Sequence, residues 1–120
     1  MKTSMKINQL DKQGNRHGLW EIYYSDGQLW GNGEFKNGLR HGLWKYYETG
    51  QLWYKGQYQK NKRAGLWLFY RISGELYLEC RYRDDLKHGD SKSYLIDGTI
   101  EGQGFFNKSR KHGLWYARYF

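Results

Sequence analysis

His17-Gly18-Leu19-Trp20-Glu21-Ile22-Tyr23-Tyr24-Ser25-Asp26-Gly27-Gln28-Leu29-Trp30-Gly31-Asn32-Gly33-Glu34-Phe35 reads as a β-hairpin. Asp26-Gly27 is the dipeptide that supplies the positive backbone angles of a two-residue type I′ turn. On that register Tyr24 faces Leu29, Ile22 faces Gly31 and Trp20 faces Gly33, all on one face because strand side chains alternate. A tryptophan across from a glycine shields backbone that carries no side chain of its own.

The same block recurs. His17-Gly18-Leu19-Trp20 returns as His41-Gly42-Leu43-Trp44, Ala64-Gly65-Leu66-Trp67, His88-Gly89-Asp90-Ser91 and His112-Gly113-Leu114-Trp115. The glycines at 18, 42, 65, 89 and 113 are 24, 23, 24 and 24 residues apart. In the third copy a turn at Ser73-Gly74 sets Arg71 against Leu76 and Trp67 against Cys80, so Cys80 fills the glycine position with another small residue that tolerates burial. In the fourth, Asp97-Gly98 sets Leu95 against Ile100, and Ser91 against Gly104, without a tryptophan. The second copy is one residue short, so Trp44 meets Lys55 rather than Gly56 unless a bulge or altered turn restores the register.

The links between hairpins are too short for a crossover helix, so neighbouring hairpins pair antiparallel. The expectation is all-β: an elongated single-layer antiparallel β-meander of tandem hairpins of about 24 residues. Residues 1–15 form an N-terminal segment or cap, and 16–120 a repeat array of four repeats and a terminal half repeat. About nine or ten strands at ~4.8 Å make a twisted ribbon roughly 45 Å long. Its last strand runs near Leu114 to Tyr119.

Composition supports this. The 120 residues hold six Trp, twelve Tyr and five Phe but no Val, so the apolar material is aromatic rather than aliphatic. Large rings covering a thin sheet fit that better than a thick aliphatic core. The net charge of +8 favours acidic partners without choosing among them. The densest basic stretches, Lys60 to Arg63 and Lys108 to Lys111, read as solvated links between repeats. One cysteine permits no internal disulfide, and no apolar run approaches a membrane span, so a cytoplasmic protein is expected.

Gly18, Trp20, Tyr23, Tyr24, Gly27, Leu29, Gly33 and Phe35 resemble the bacterial variant of the MORN repeat (membrane occupation and recognition nexus). The second copy matches with Gly42, Trp44, Tyr46, Tyr47, Gly50, Leu52, Gly56 and Tyr58. Gly65, Trp67, Tyr70, Gly74, Leu76 and Tyr82 carry the third, and Gly89, Tyr94, Gly98, Ile100, Gly104 and Phe106 the fourth. Arg71, Ser91 and Cys80 depart from the pattern, where it has Tyr, Trp and Gly. The resemblance implies an elongated scaffold that binds proteins or lipid headgroups, and bacterial relatives built only of such repeats are often labelled antitoxin-like.

Function is expected from surfaces rather than from catalysis. No nucleophile elbow, phosphate loop or metal-ligand spacing is present, so no enzyme activity and no cofactor are expected. His17, His41, His88 and His112 share one repeat position roughly 10 Å apart, too far to ligate one metal together, and read as turn caps. Trp20, Trp44, Trp67 and Trp115 form a structural stripe together with Gly18, Gly33, Gly42, Gly56, Gly65, Cys80, Gly89, Gly104 and Gly113. Trp30, Trp53 and Tyr77 follow the repeat leucine and by alternation lie on the opposite face. With Tyr54 and Lys55 they are the candidate partner-binding surface. A protein partner (toxin, effector or scaffold) is the leading expectation. Anionic lipid, nucleic acid and an edge-to-edge homodimer are the alternatives.

Overall fold

The computed structural model describes residues 6–117, without the side chains of His112, Leu114, Tyr116 and Ala117. Part of the expected last strand, up to Tyr119, therefore lies outside the described residues, as do residues 1–5 of the N-terminal segment. The described chain is all β: β1 (Gln9–Leu10), β2 (Arg16–Tyr23), β3 (Leu29–Lys36), β4 (Leu39–Glu48), β5 (Gln51–Gln59), β6 (Lys62–Tyr70), β7 (Leu76–Arg83), β8 (Leu86–Tyr94), β9 (Ile100–Asn107) and β10 (Arg110–Ala117). Each strand pairs with the next, antiparallel, in one open sheet. The molecule measures 52 × 30 × 29 Å. Its long axis is slightly greater than the ribbon estimate.

The predicted registers hold away from the turns: Trp20 pairs with Gly33, Ile22 with Gly31, Trp67 with Cys80 and Ser91 with Gly104. In the short second copy Trp44 pairs with Gly56, the register a bulge restores.

The turns themselves require correction. Asp26-Gly27 is not a type I′ turn. Gly27 N–H donates to Tyr24 O at 3.0 Å and Tyr24 N–H to Gln28 O at 2.8 Å, a three-residue loop ending in Gly27 at φ 91°. This is a type I turn closed by a left-handed glycine, which also matches hairpin twist. The loops at Arg71–Glu75 and Leu95–Thr99 repeat these bonds, so Tyr24, Arg71 and Leu95 do not face Leu29, Leu76 and Ile100. Those partners fall to Tyr23, Tyr70 and Tyr94. The type I′ turns lie instead in the links, where Asn37-Gly38, Lys60-Asn61, Asp84-Asp85 and Lys108-Ser109 all have positive φ. Thr49-Gly50 joins them, and this two-residue turn absorbs the missing residue of the second copy.

A bulge just after the repeat Leu or Ile shifts the register by one residue in each of the four hairpins, whatever the length of the loop. The pairing passes from Tyr23–Leu29 to Ile22–Gly31, leaving Trp30 as the extra residue. By the same shift Trp53, Tyr77 and Glu101 are the extra residues of the next three hairpins.

The core lies on one face of the middle strands. Trp44 and Trp67 are fully buried, with Phe35, Tyr46, Tyr58, Cys80 and Tyr82 almost so. Trp20 packs against this cluster from its end and remains half-buried. The glycine shielding is also displaced by one strand. A Cβ built on Gly56 would fall inside the Trp67 ring, and one on Gly33 inside the Trp44 ring, so each tryptophan covers the glycine of the preceding hairpin. Trp20, which faces Gly33, is not its cover. Each ring also donates its Nε1–H to a carbonyl beside that glycine: Trp44 to Glu34 O at 2.9 Å and Trp67 to Gln57 O at 3.1 Å. Trp20 has no earlier repeat, and Gln9 O in β1 accepts its proton at 3.0 Å.

Candidate functional site

The bulges decide where the candidate rings point. An extra residue breaks the strict alternation of a strand and re-aims its side chain. Trp30 packs edge-on to Tyr46 at 5.1 Å and Trp53 to Tyr54 at 4.9 Å, while Tyr77 lies 6.5 Å from Phe69. Tyr46, Tyr54 and Phe69 are themselves joined, at 4.7 and 5.6 Å. Trp30, Trp53 and Tyr77 thus belong to one ring network on the core side of the sheet, not to the opposite face as strict alternation predicts. Trp53 is exposed, whereas Trp30, Tyr54 and Tyr77 are half-buried.

Lys55 does not join them. It lies between Tyr54 and Gly56, pairs across the strands with Lys45 and Leu68, and belongs to the reverse face. Cations do stand on the aromatic side, among them Arg40 and Arg63. Arg40 and Arg63 flank a groove of about 430 Å³ floored by Tyr54, Tyr58, Trp67 and Phe69, with Trp53 on its rim. A sequence signal for both exists: a basic residue stands two positions before the repeat glycine at 16, 40, 63, 87 and 111.

Each guanidinium is held from two sides. Arg40 lies over the Tyr58 ring at 4.1 Å, and its Nη1 donates to Tyr58 Oη at 2.9 Å and to Tyr46 Oη at 3.2 Å. The two phenol oxygens are bonded to each other at 2.9 Å, a buried pair. Burial, then the bond to Tyr46, pushes the Tyr58 phenol far above its ordinary range, so it stays neutral. Arg63 lies over Tyr82 at 4.5 Å and donates Nε–H to Asp85 Oδ1 at 2.7 Å. That bond from Arg63 holds the Asp85 carboxyl below its usual range despite some desolvation. The groove thus offers the fixed charge of Arg40, and the Arg63–Asp85 ion pair, beside aromatic rings.

The departures from the repeat have local explanations. Tyr24 donates its hydroxyl to Tyr47 O at 2.8 Å, and Arg71 makes the equivalent link through Nη2 to Tyr94 O at 2.8 Å, so arginine replaces tyrosine without losing the tie between repeats. Cys80 and Ser91 are adjacent across β7 and β8 and replace a glycine and the ring that covers it together. Burial pushes the Cys80 thiol up, in keeping with a packing role.

At the histidine position, His88 Nδ1 is buried without a hydrogen-bond partner among the described residues, and the ring packs edge-on to Phe105 at 6.1 Å. The glycine that follows, at φ 107°, lies within β8 where the pairing with β7 shifts register. The side chain of His112 lies outside the described residues. Among the described residues no three His, Cys, Asp or Glu side chains gather as a metal site. Among those residues, too, no helix is long and apolar enough to cross a membrane.

No curated protein matches the chain. A family model described as MORN repeat variant matches two consecutive copies, residues 16–37 and 40–60. Those ranges span β2 to β5 and include Arg40, Trp53, Tyr54 and Tyr58 of the groove. Residues 16–37 and 40–60 are thus two MORN repeats of that variant, and the same hairpin continues through β9.

Proposed function

We propose that the chain is a non-enzymatic protein-binding module that docks a segment of its partner in the groove between Arg40 and Arg63, acting as an antitoxin-like inhibitor or a scaffold. The observation that carries this is the pairing of the exposed Trp53 ring with immobilised guanidiniums. Tryptophan, tyrosine and arginine dominate the energetics of protein interfaces because they offer large contact area and directional hydrogen bonds at low entropic cost. Here Trp53 is exposed at the rim while Arg40 is already fixed by Tyr58 and Tyr46. A partner therefore meets a surface that needs little reorganisation.

The test is affinity capture from host lysate with nuclease treatment, washed at ~50 and ~300 mM salt, comparing the unaltered chain with Trp53→Ala and with the reverse-face change Leu43→Ala. One protein retained at both salts, lost with Trp53→Ala and kept with Leu43→Ala, is the expected result. Recovery of nucleic acid or lipid alone, released by salt, overturns the reading, because counterion release makes those complexes steeply salt-dependent.

A further inference from the structure

Five cations of the aromatic side form a line, with Arg71, 5.4 Å from the Tyr77 ring centre, outside it. Arg16 lies 4.9 Å from the Trp20 ring centre, Arg40 4.1 Å from Tyr58 and Arg63 4.5 Å from Tyr82. Lys87 lies 5.1 Å from Phe106 and Lys111 4.9 Å from Trp115. They stand on alternate strands β2, β4, β6, β8 and β10. Each of the first four has its backbone carbonyl tied to the second turn residue of the next link. Gly38, Asn61 and Asp85 N–H groups each donate at 3.1 Å, to Arg16, Arg40 and Arg63, and Ser109 donates to Lys87 at 2.7 Å. The tie holds the backbone of those four equivalently, so along the sheet they repeat at two strand spacings, ~9.6 Å.

The residue at that turn position also decides which cations keep their charge. At Arg63 it is Asp85, and this is the salt bridge among the described residues. At Arg16, Arg40 and Lys87 the same position holds Gly38, Asn61 and Ser109, which carry no charge. Asp85 shows the arrangement a carboxylate adopts beside a cation of this row, and among the described residues Arg16, Arg40 and Lys87 have no carboxylate within ion-pair distance.

We propose that the occupant of the groove is an acidic protein segment in the polyproline II conformation, with carboxylates at every third residue. This rests on the protein-binding reading. A polyproline II helix has three residues per turn and rises ~3.1 Å per residue, so every third side chain returns to one face after ~9.3 Å. That matches the cation period to ~0.3 Å per repeat. A β-strand returns to one face every ~6.7 Å, or ~13 Å at the next step, and meets the row at neither. An α-helix returns after seven residues, ~10.5 Å, and slips by ~0.9 Å at each repeat. Polyproline II segments also dock on aromatic-lined grooves, and rings run between the cations here.

The test is fluorescence anisotropy at ~150 mM salt with a labelled 15-residue probe, five repeats of Glu-Pro-Pro. The comparison probes are the same composition with the five Glu in one block, a Gln-Pro-Pro version, a 15-residue acidic helical peptide with Glu every seventh residue, and fifteen-nucleotide oligothymidylate. The spaced probe is expected to bind at least tenfold tighter than each of the others. Arg40→Gln and Lys87→Gln each weaken it severalfold, while Lys45→Gln on the reverse face does not. Lys87→Gln serves as the second variant should Arg40→Gln lower the thermal midpoint. Equal affinity for the blocked probe or oligothymidylate reduces the row to unspecific charge and overturns the proposal, as does no binding of the spaced probe. Preference for the helical probe overturns the polyproline II geometry. A captured partner that depends on Trp53 but not on Arg40 or Lys87 keeps the protein-binding reading and overturns this one.

Discussion

Gly56 with Trp67, and Cys80 with Ser91, occupy the same place in successive repeats and fill it in opposite ways. In the first pair a fully buried ring lies on backbone without a side chain, and its Nε1 donates to Gln57 O. In the second, two small side chains share the space, and Ser91 Oγ donates to Glu79 O at 3.1 Å. The difference teaches that the glycine and the tryptophan are one structural unit spanning two hairpins. Where the ring is absent, a Cβ at the glycine position is tolerated, and both Cys80 and Ser91 are buried. Two departures that look independent in sequence are therefore one departure.

The comparison breaks most severely at the ring. Trp67→Ala is expected to cost about 3–5 kcal/mol, because a large cavity opens among Tyr58, Tyr54 and Tyr82, and urea denaturation measures it. Gly56→Ala, a single added methyl, is expected to cost about 2–3 kcal/mol since the Trp67 ring must move. The corresponding small change at the other junction, Cys80→Ala, stays within about 1.5 kcal/mol. Equal losses at the two sites would show that the glycine is kept for another reason.

A double-mutant cycle sharpens the point. Ser91→Trp alone meets the Cys80 side chain and is expected to destabilise, while Ser91→Trp with Cys80→Gly recreates the pair found at Gly56 and Trp67. The coupling should reach about 2 kcal/mol in favour of the double variant. Additive effects would mean that the local backbone of the fourth hairpin, not the missing ring, excludes tryptophan.

A smaller contrast separates Asp85 from Asn61, which hold Arg63 and Arg40 from equivalent turns. Asp85→Asn should cost a few tenths of a kcal/mol at neutral pH, since the pair is largely exposed. The Asp85 carboxyl is held below its ordinary range, so its contribution is complete above the unfolded value near ~3.9. It is lost as pH falls through the lower folded value. Thermal midpoints of the unaltered chain and the Asp85→Asn variant should therefore converge on acidification, and a gap that persists would assign the effect to turn geometry.

Much of this molecule is legible from local chemistry. The 24-residue period, the hairpins, the absence of room for crossover helices and the pairing of Trp20 with Gly33 all follow from residue spacing, because alternation and turn propensity act within a few residues. The candidate rings Trp30, Trp53, Tyr54 and Tyr77 were identifiable from their repeat position, but their face was not. Strict alternation sends Trp30 to the reverse face, and only the paired strand shows that it is the extra residue of a bulge. Lys55 adjoins Tyr54 in sequence and so reads as a neighbour of the rings, yet the pleat sends it to the reverse face. Arg63 reads from sequence as a solvated link charge, and only the neighbouring hairpin shows Tyr82 beneath it, as Tyr58 lies beneath Arg40. The sequence alone determined the repeat, the strand order and which residues are aromatic or charged. Tertiary structure alone decided which tryptophan covers which glycine and which cations border the rings, because those contacts join side chains from different strands and no local spacing encodes them.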